Sequence, residues 1–168
     1  TVGCVPHNYG FGGTAWTDKI VAETIAARDD WDVLTIMLGA NSLGGTDSAG
    51  NPESAAQYEK KYDDYLETIR NAAPKKPILC ITPILNRLDL TGGNPNGEMP
   101  DAYREAISRV VRRRSSDGNL HLLDGLSMVD DPLYLLVTDT VHPNDLGMHR
   151  IAEGIAAALK PIIETRVE

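Results

Sequence analysis

Asp139 and His142 stand three residues apart in the run "TDTVHPND", on a short, proline-ended stretch where one carboxylate oxygen can reach the imidazole Nδ1. Such a contact fixes the tautomer and leaves Nε2 to act as a general base. The chemistry this suits is activation of a hydroxyl for attack on a carbonyl carbon. The oxyanion that forms then needs donors, and two positions supply them. Asn41 in "LGANS" carries an amide with two N–H groups, and Gly13 at the end of "NYGFGG" offers a backbone N–H. One such donor is worth ~3 kcal/mol in the transition state.

Plainer readings compete at each position. An Asp-x-x-His-Pro turn taken alone is more often a capped helix entrance than a catalytic pair. His142, Asp145 and His149 are conceivable metal ligands, but His149 falls more than a turn along the following helix, so no metal and no cofactor are expected. Cys4 and Ser42 are substitute nucleophiles to weigh. Cys4 lies within a strand-like run, and Ser42 follows Asn41 with its hydroxyl facing the loop, so structural roles are favoured for both. His7, His121 and His149 have no carboxylate at comparable spacing in these runs.

The elements that must position these residues alternate. Residues 1–5, "TVGCV", read as a strand entering a glycine-rich loop. Thr14 caps a predicted helix over 15–28, with Trp16, Ile20, Val21 and Ile25 on its apolar face. "WDVLTIML" reads as a strand buried on both faces. Asn51-Pro52 suits an N-cap followed by a first-turn proline, and the helix it opens buries a stripe of Tyr58, Tyr62, Tyr65, Leu66 and Ile69. "ILCITP" is a further strand, and residues 86–100 read as a surface loop. Tyr103, Ile107, Val110 and Val111 mark another helix, "LHLLDG" a strand, and Asn144 the cap of a last helix burying Met148, Ile151, Ile155, Leu159 and Ile162. This order implies an α/β fold with a mainly parallel sheet covered on both faces. Sites in such sheets form at the carboxyl ends of strands, where the three chemistry-bearing loops lie.

Composition narrows the classes further. With 168 residues, 42% hydrophobic and 5% aromatic, the chain has material for one aliphatic core. A formal charge of −8 disfavours nucleic acid as a partner, and the Arg112 to Arg114 run reads as a solvated helix end. Cys4 and Cys80 are too few for a disulfide framework and are expected as buried free thiols. No apolar run approaches the ~20 residues of a membrane span, and no signal-like segment opens the chain.

Together and in order, "NYGFGG", "LGANSLGG" and "TDTVHPNDLGMHRIAEGI" resemble the second, third and fifth conserved blocks of the SGNH (GDSL-type) hydrolases. "NLHLLDGLSMV" is similar to that family's approach to the last block. The resemblance implies a flavodoxin-like three-layer sandwich with strand order 2-1-3-4-5. It implies cleavage of a small-molecule or carbohydrate acyl ester, or related acyl transfer, by a Ser-His-Asp triad without metal. His142 would be the base, Asp139 its orienting partner, and Gly13 and Asn41 the oxyanion donors. Ser42 stands where many members have Asp.

The Gly-Asp-Ser block that carries the family's nucleophile has no counterpart in residues 1–168. The resemblance matches "TVGCV" to the family's second strand, so a first strand and helix are expected upstream in a longer polypeptide or on another chain. That strand would be interior, and neighbours ~4.8 Å apart would lose their pairing without it. The alternative is a binding module that keeps the pocket but has no nucleophile. A nucleotide-binding fold is disfavoured, because the first glycine loop lacks phosphate-cradle spacing.

Overall fold

The computed structural model describes residues 3–10, 12–135 and 139–164. Its sheet is built from β1 (Leu34–Met37), β2 (Ile78–Ile81) and β3 (Leu120–Leu123), parallel and in that order. Leu34 lies opposite Ile78, and Ile78 opposite Leu120. The helices are α1 (Lys19–Ala26), α2 (Ala55–Ala72), α3 (Arg87–Thr91), α4 (Pro100–Arg113) and α5 (Asp145–Glu164). This is an α/β protein whose parallel sheet is flanked by helices. Among the described residues, no helix is long and apolar enough to cross a membrane.

Alternation along β2 divides the core. Ile78 and Cys80 face one cluster with α1, α2 and α4, whereas Leu79 and Ile81 face a second with Leu159 and Ile162 of α5. Every residue of β2 is buried, as a central strand covered on both sides requires. The tyrosine stripe of α2 enters the first cluster as the periodicity predicts. Tyr58 packs its ring against Tyr62 and against Tyr103 of α4, with centroids 5.9 and 5.5 Å apart.

Several expectations are corrected. Gly3, Cys4 and Val5 form no strand and are exposed; Thr1 and Val2 lie outside the described residues. A strand needs a neighbour for its N–H and C=O groups, and this segment has none in the sheet. Cys4 is therefore not a buried thiol, although Cys80 is. β1 is buried on one face only, with Thr35 and Met37 exposed. α1 begins after Asp18 rather than at Thr14, and Ile20 points to solvent.

α2 begins at Ala55, because Ser54 and Gln57 exchange side-chain and backbone hydrogen bonds in a capping box. Pro52 instead joins an isolated bridge to Thr46. The stretch 86–100 contains α3 and the buried residues Asn86, Asn94 and Pro100. Met148 is exposed on α5. The arginines ending α4 are not simply solvated: Arg113 pairs with Glu59 and Asp63 of α2 at 2.5 and 3.2 Å, tying the two helices together.

Candidate active site

Asp139 and His142 meet in the segment that leads into α5. Asp139 Oδ1 accepts the backbone N–H groups of Val141 and His142 at 3.0 and 2.8 Å, and Oδ2 lies 2.6 Å from His142 Nδ1. One carboxylate thus closes the turn and fixes the ring. Thr140 occupies the left-handed region at φ 63°, uncommon for a β-branched residue, and the two N–H bonds across it hold it there. The backbone N–H of His142 first, then its ring and the N–H of Val141, keep the Asp139 carboxyl well below the usual carboxylate range. The pair stands at the surface, the side chains of His142 and Asp139 being 76% and 56% exposed.

The first residues of α5 and its cap anchor this turn. Asn144 donates its backbone N–H to Tyr134 O and its side-chain N–H to Leu133 O, both at 2.8 Å, and its Oδ1 accepts Gly147 N–H at 3.0 Å. This is the N-cap expected of Asn144. Gly147 permits the approach, since a Cβ there would lie 2.7 Å from Tyr134 O. The start of α5 is therefore pressed onto the 3-10 turn Pro132–Leu135.

Asn41 follows β1. Gly39, at φ 114°, is wedged where a Cβ would meet the Tyr58 hydroxyl at 2.8 Å and Pro83 at 3.1 Å. Asn41 then opens the 3-10 turn Ser42–Gly44 and makes no side-chain capping bond. Gly13 is exposed at φ 70°, with open space where a Cβ would stand. The loops after the three strands touch in series. Gly39 meets Pro83, Leu85 N–H donates to Val129 O at 3.0 Å, and Thr82 Oγ1 donates to Asp124 Oδ1 at 3.0 Å. The structure brings Asp139 and His142 into contact, whereas Asn41 and Gly13 make no hydrogen bond to either among the described residues.

Ser42 is fully buried and its hydroxyl has no hydrogen-bond partner, which removes it as a nucleophile in this arrangement. Cys4 is exposed in irregular backbone, so its assignment to a strand no longer bears on its role. Among the described residues no three His, Cys, Asp or Glu side chains are grouped to hold a metal ion; His149 instead lies 3.4 Å from Glu153. His7 Nδ1 contacts Arg28 at 3.2 Å.

One positioning residue is not evident from the sequence. Arg104, almost fully buried in α4, donates to Pro83 O and Ile84 O at 2.8 Å and pairs with Asp89 and Asp101 at 2.8 Å. It clamps the loop after β2. The available signal is an arginine directly beside Tyr103 on the buried side of an amphipathic helix.

The carboxylate-oriented histidine thus lies on the segment that leads into the last helix of a parallel α/β protein. The sequence pattern of the GDSL-like Lipase/Acylhydrolase family matches residues 3–150, and the chain belongs to that family. Among solved structures it is similar to the salicylyl-acyltransferase SsfX3 of a tetracycline biosynthetic pathway, with 22% identity, a TM-score of 0.68, and coverage of 86% of this chain and 42% of that one. It is also similar to a putative GDSL-like lipase from Bacteroides ovatus, with 24% identity, a TM-score of 0.68, and coverage of 90% and 42%. A peptidoglycan O-acetylesterase gives 21% identity, a TM-score of 0.62, and coverage of 86% and 41%. The chain thus spans less than half the length of each of these three. A comparison with curated proteins found no match.

Proposed function

We propose that the protein hydrolyses carboxylic esters, or transfers their acyl groups, by an acyl-enzyme route in which His142 is the base and Asp139 its orienting partner. The observation that carries this is the 2.6 Å contact between Asp139 Oδ2 and His142 Nδ1, made by a carboxylate already fixed by two backbone N–H groups. His142 takes the proton of a serine hydroxyl as the oxygen attacks the carbonyl carbon. It then returns the proton to the leaving alkoxide. The Asn41 amide and the Gly13 N–H stabilise the oxyanion, and no metal or other cofactor enters the cycle.

The serine belongs to a Gly-Asp-Ser segment outside residues 1–168, on a strand that pairs along the open edge of β1. Two observations motivate the proposal: β1 ends the sheet order among the described residues, and its Thr35 and Met37 side chains stand exposed on the sheet face where the accompanying helix would pack. The single domain formed here is completed by that strand and its helix, and by the pairing of residues 3–5 along the new strand's far edge, giving the order 2-1-3-4-5. The substrate class is a small-molecule or carbohydrate acyl ester, in line with an acyltransferase and an O-acetylesterase among the similar structures.

The test is p-nitrophenyl acetate turnover by the intact protein and by its His142→Ala variant. A loss of about three orders of magnitude or more is expected, together with covalent labelling of one serine by a fluorophosphonate. Turnover that survives the substitution rejects His142 as base. A folded, intact protein that takes no label rejects the serine route and leaves a binding module.

A further inference from the structure

Among the described residues, every left-handed backbone position but one is filled by glycine, as at Gly39 and Gly45. The exception is Thr140, at φ 63°, and it stands between the proposed base and its partner. In this region Cβ crowds the carbonyl oxygen that follows it, and a β-branched residue fits worst. Such a conformation persists only where the surroundings over-determine it.

Here the surroundings are mainly one side chain. Asp139 Oδ1 accepts the N–H groups of Val141 and His142 at 3.0 and 2.8 Å, both on the far side of Thr140, while Oδ2 meets His142 Nδ1. The Thr140 hydroxyl adds a bond back to Asp139 O at 2.5 Å. Rotating residue 140 to a negative φ would swing Val141 and His142 away from Asp139, so the two backbone bonds and the ring contact are made or lost together. Thr140 is half-buried, and the far end of the segment is anchored separately by Asn144 on Leu133 and Tyr134. The hinge of this motion is therefore residue 140.

We propose that Thr140 is a positioning residue whose strained backbone joins closure of the turn and seating of the His142 ring into one two-state event. The firmness with which the ring is held then depends on how well residue 140 tolerates the left-handed region, not on the Asp139 contact alone. Its part in catalysis rests on the reading of His142 as base; the coupling of turn and ring does not. Two substitutions move the balance in opposite directions. Asparagine enters the left-handed region readily, whereas valine keeps the branching and lacks the hydroxyl bond.

Water-exchange NMR on the intact protein, Thr140→Asn and Thr140→Val tests this at the Val141 amide and at the His142 Nδ1–H, with the Ile36 amide of β1 as reference. Both protons should exchange about tenfold slower in Thr140→Asn and several-fold faster in Thr140→Val, with Ile36 unaltered. A ring proton that ignores the substitutions while the amide follows them would leave Thr140 a turn former only and overturn the coupling. Faster exchange in Thr140→Asn would assign the hold to the hydroxyl and overturn it equally. If Thr140→Val does not fold, Thr140→Asn decides alone. Ester turnover separates this inference from the reading beneath it. With His142 as base, Thr140→Val lowers kcat at unchanged KM, and an unchanged kcat beside a faster-exchanging ring would overturn the role in catalysis. Exchange that follows the substitutions in a protein without turnover upholds the coupling and rejects the base.

Discussion

At the scale of single residues, the Asp139 carboxylate has two duties that substitution can separate. In Asp139→Asn the side-chain oxygen still accepts the N–H groups of Val141 and His142, so the turn keeps its closure. The new amide nitrogen, however, donates toward His142 Nδ1 and imposes the tautomer with the proton on Nε2. A base that already carries its proton cannot take one from serine. The expected loss of ester turnover is on the order of 10⁴-fold, with little change in thermal stability and an Nε2–H signal in the histidine ¹⁵N spectrum. The wild-type carboxyl is depressed in the folded state, so its contribution to the turn is present above the unfolded value near ~3.9 and lost as pH falls through the folded one. A ¹³C titration of Asp139 with an ordinary midpoint would contradict this. The thiols divide as cleanly: burial pushes Cys80 up to about 11, while Cys4 is exposed. Ellman's reagent should titrate one thiol in a native protein consisting of residues 1–168 and two in denaturant. The dyad is legible in the sequence because both partners lie on one short loop. The exposure of Cys4 is not, since five apolar-patterned residues do not reveal whether a neighbouring strand is present to pair with them.

At the scale of elements, close approaches that need glycine fix the loops. Gly147→Ala places a methyl 2.7 Å from Tyr134 O and 2.8 Å from Pro143 Cβ; the carbonyl belongs to backbone and cannot swing aside as a flexible side-chain tip can. Overpacking of this kind costs ~1–3 kcal/mol. It lifts the start of α5 off the preceding turn and disturbs the segment holding His142. A lower melting temperature and a reduced kcat are expected together. Ser54→Ala is a contrasting case, because it removes a cap worth ~0.5–2 kcal/mol far along the chain from the dyad, so stability should fall while kcat is kept. Periodicity reveals α2 and α4 readily, since their buried stripes recur over several turns. The start of α2 escapes a local reading because Asn51-Pro52 is as good a signal as Ser54-x-x-Gln57. A contact between Thr46 and Pro52, outside any local window, draws the proline away from the helix. Asn86 to Pro100 differs from a surface loop for a similar reason: its polar residues serve tertiary contacts, as when Asn94 Nδ2 donates to Tyr103 Oη at 3.1 Å.

At the scale of the whole molecule, the open side of β1 is where the proposed Gly-Asp-Ser strand would pair. In the sheet order β1-β2-β3, Leu34 N–H points inward and donates to Pro77 O at 3.1 Å. Amides alternate in direction along a strand, so those of Thr35 and Met37 face away from β2 and present an unpaired edge. The parallel arrangement and its helical cover can be read from alternating periodicities. The order of strands beyond β1 cannot, because none of the described residues pairs along that edge. Hydrogen exchange resolves the question amide by amide. In a protein consisting of residues 1–168, Thr35 and Met37 should exchange orders of magnitude faster than Ile36, whose N–H is directed at β2. In an intact protein carrying a Gly-Asp-Ser strand, both should become protected to the level of Ile36, and protection should appear together with ester turnover. Turnover without that protection would mean that the serine reaches His142 by some route other than an added strand. Protection in the shorter protein would show that another segment already occupies the edge.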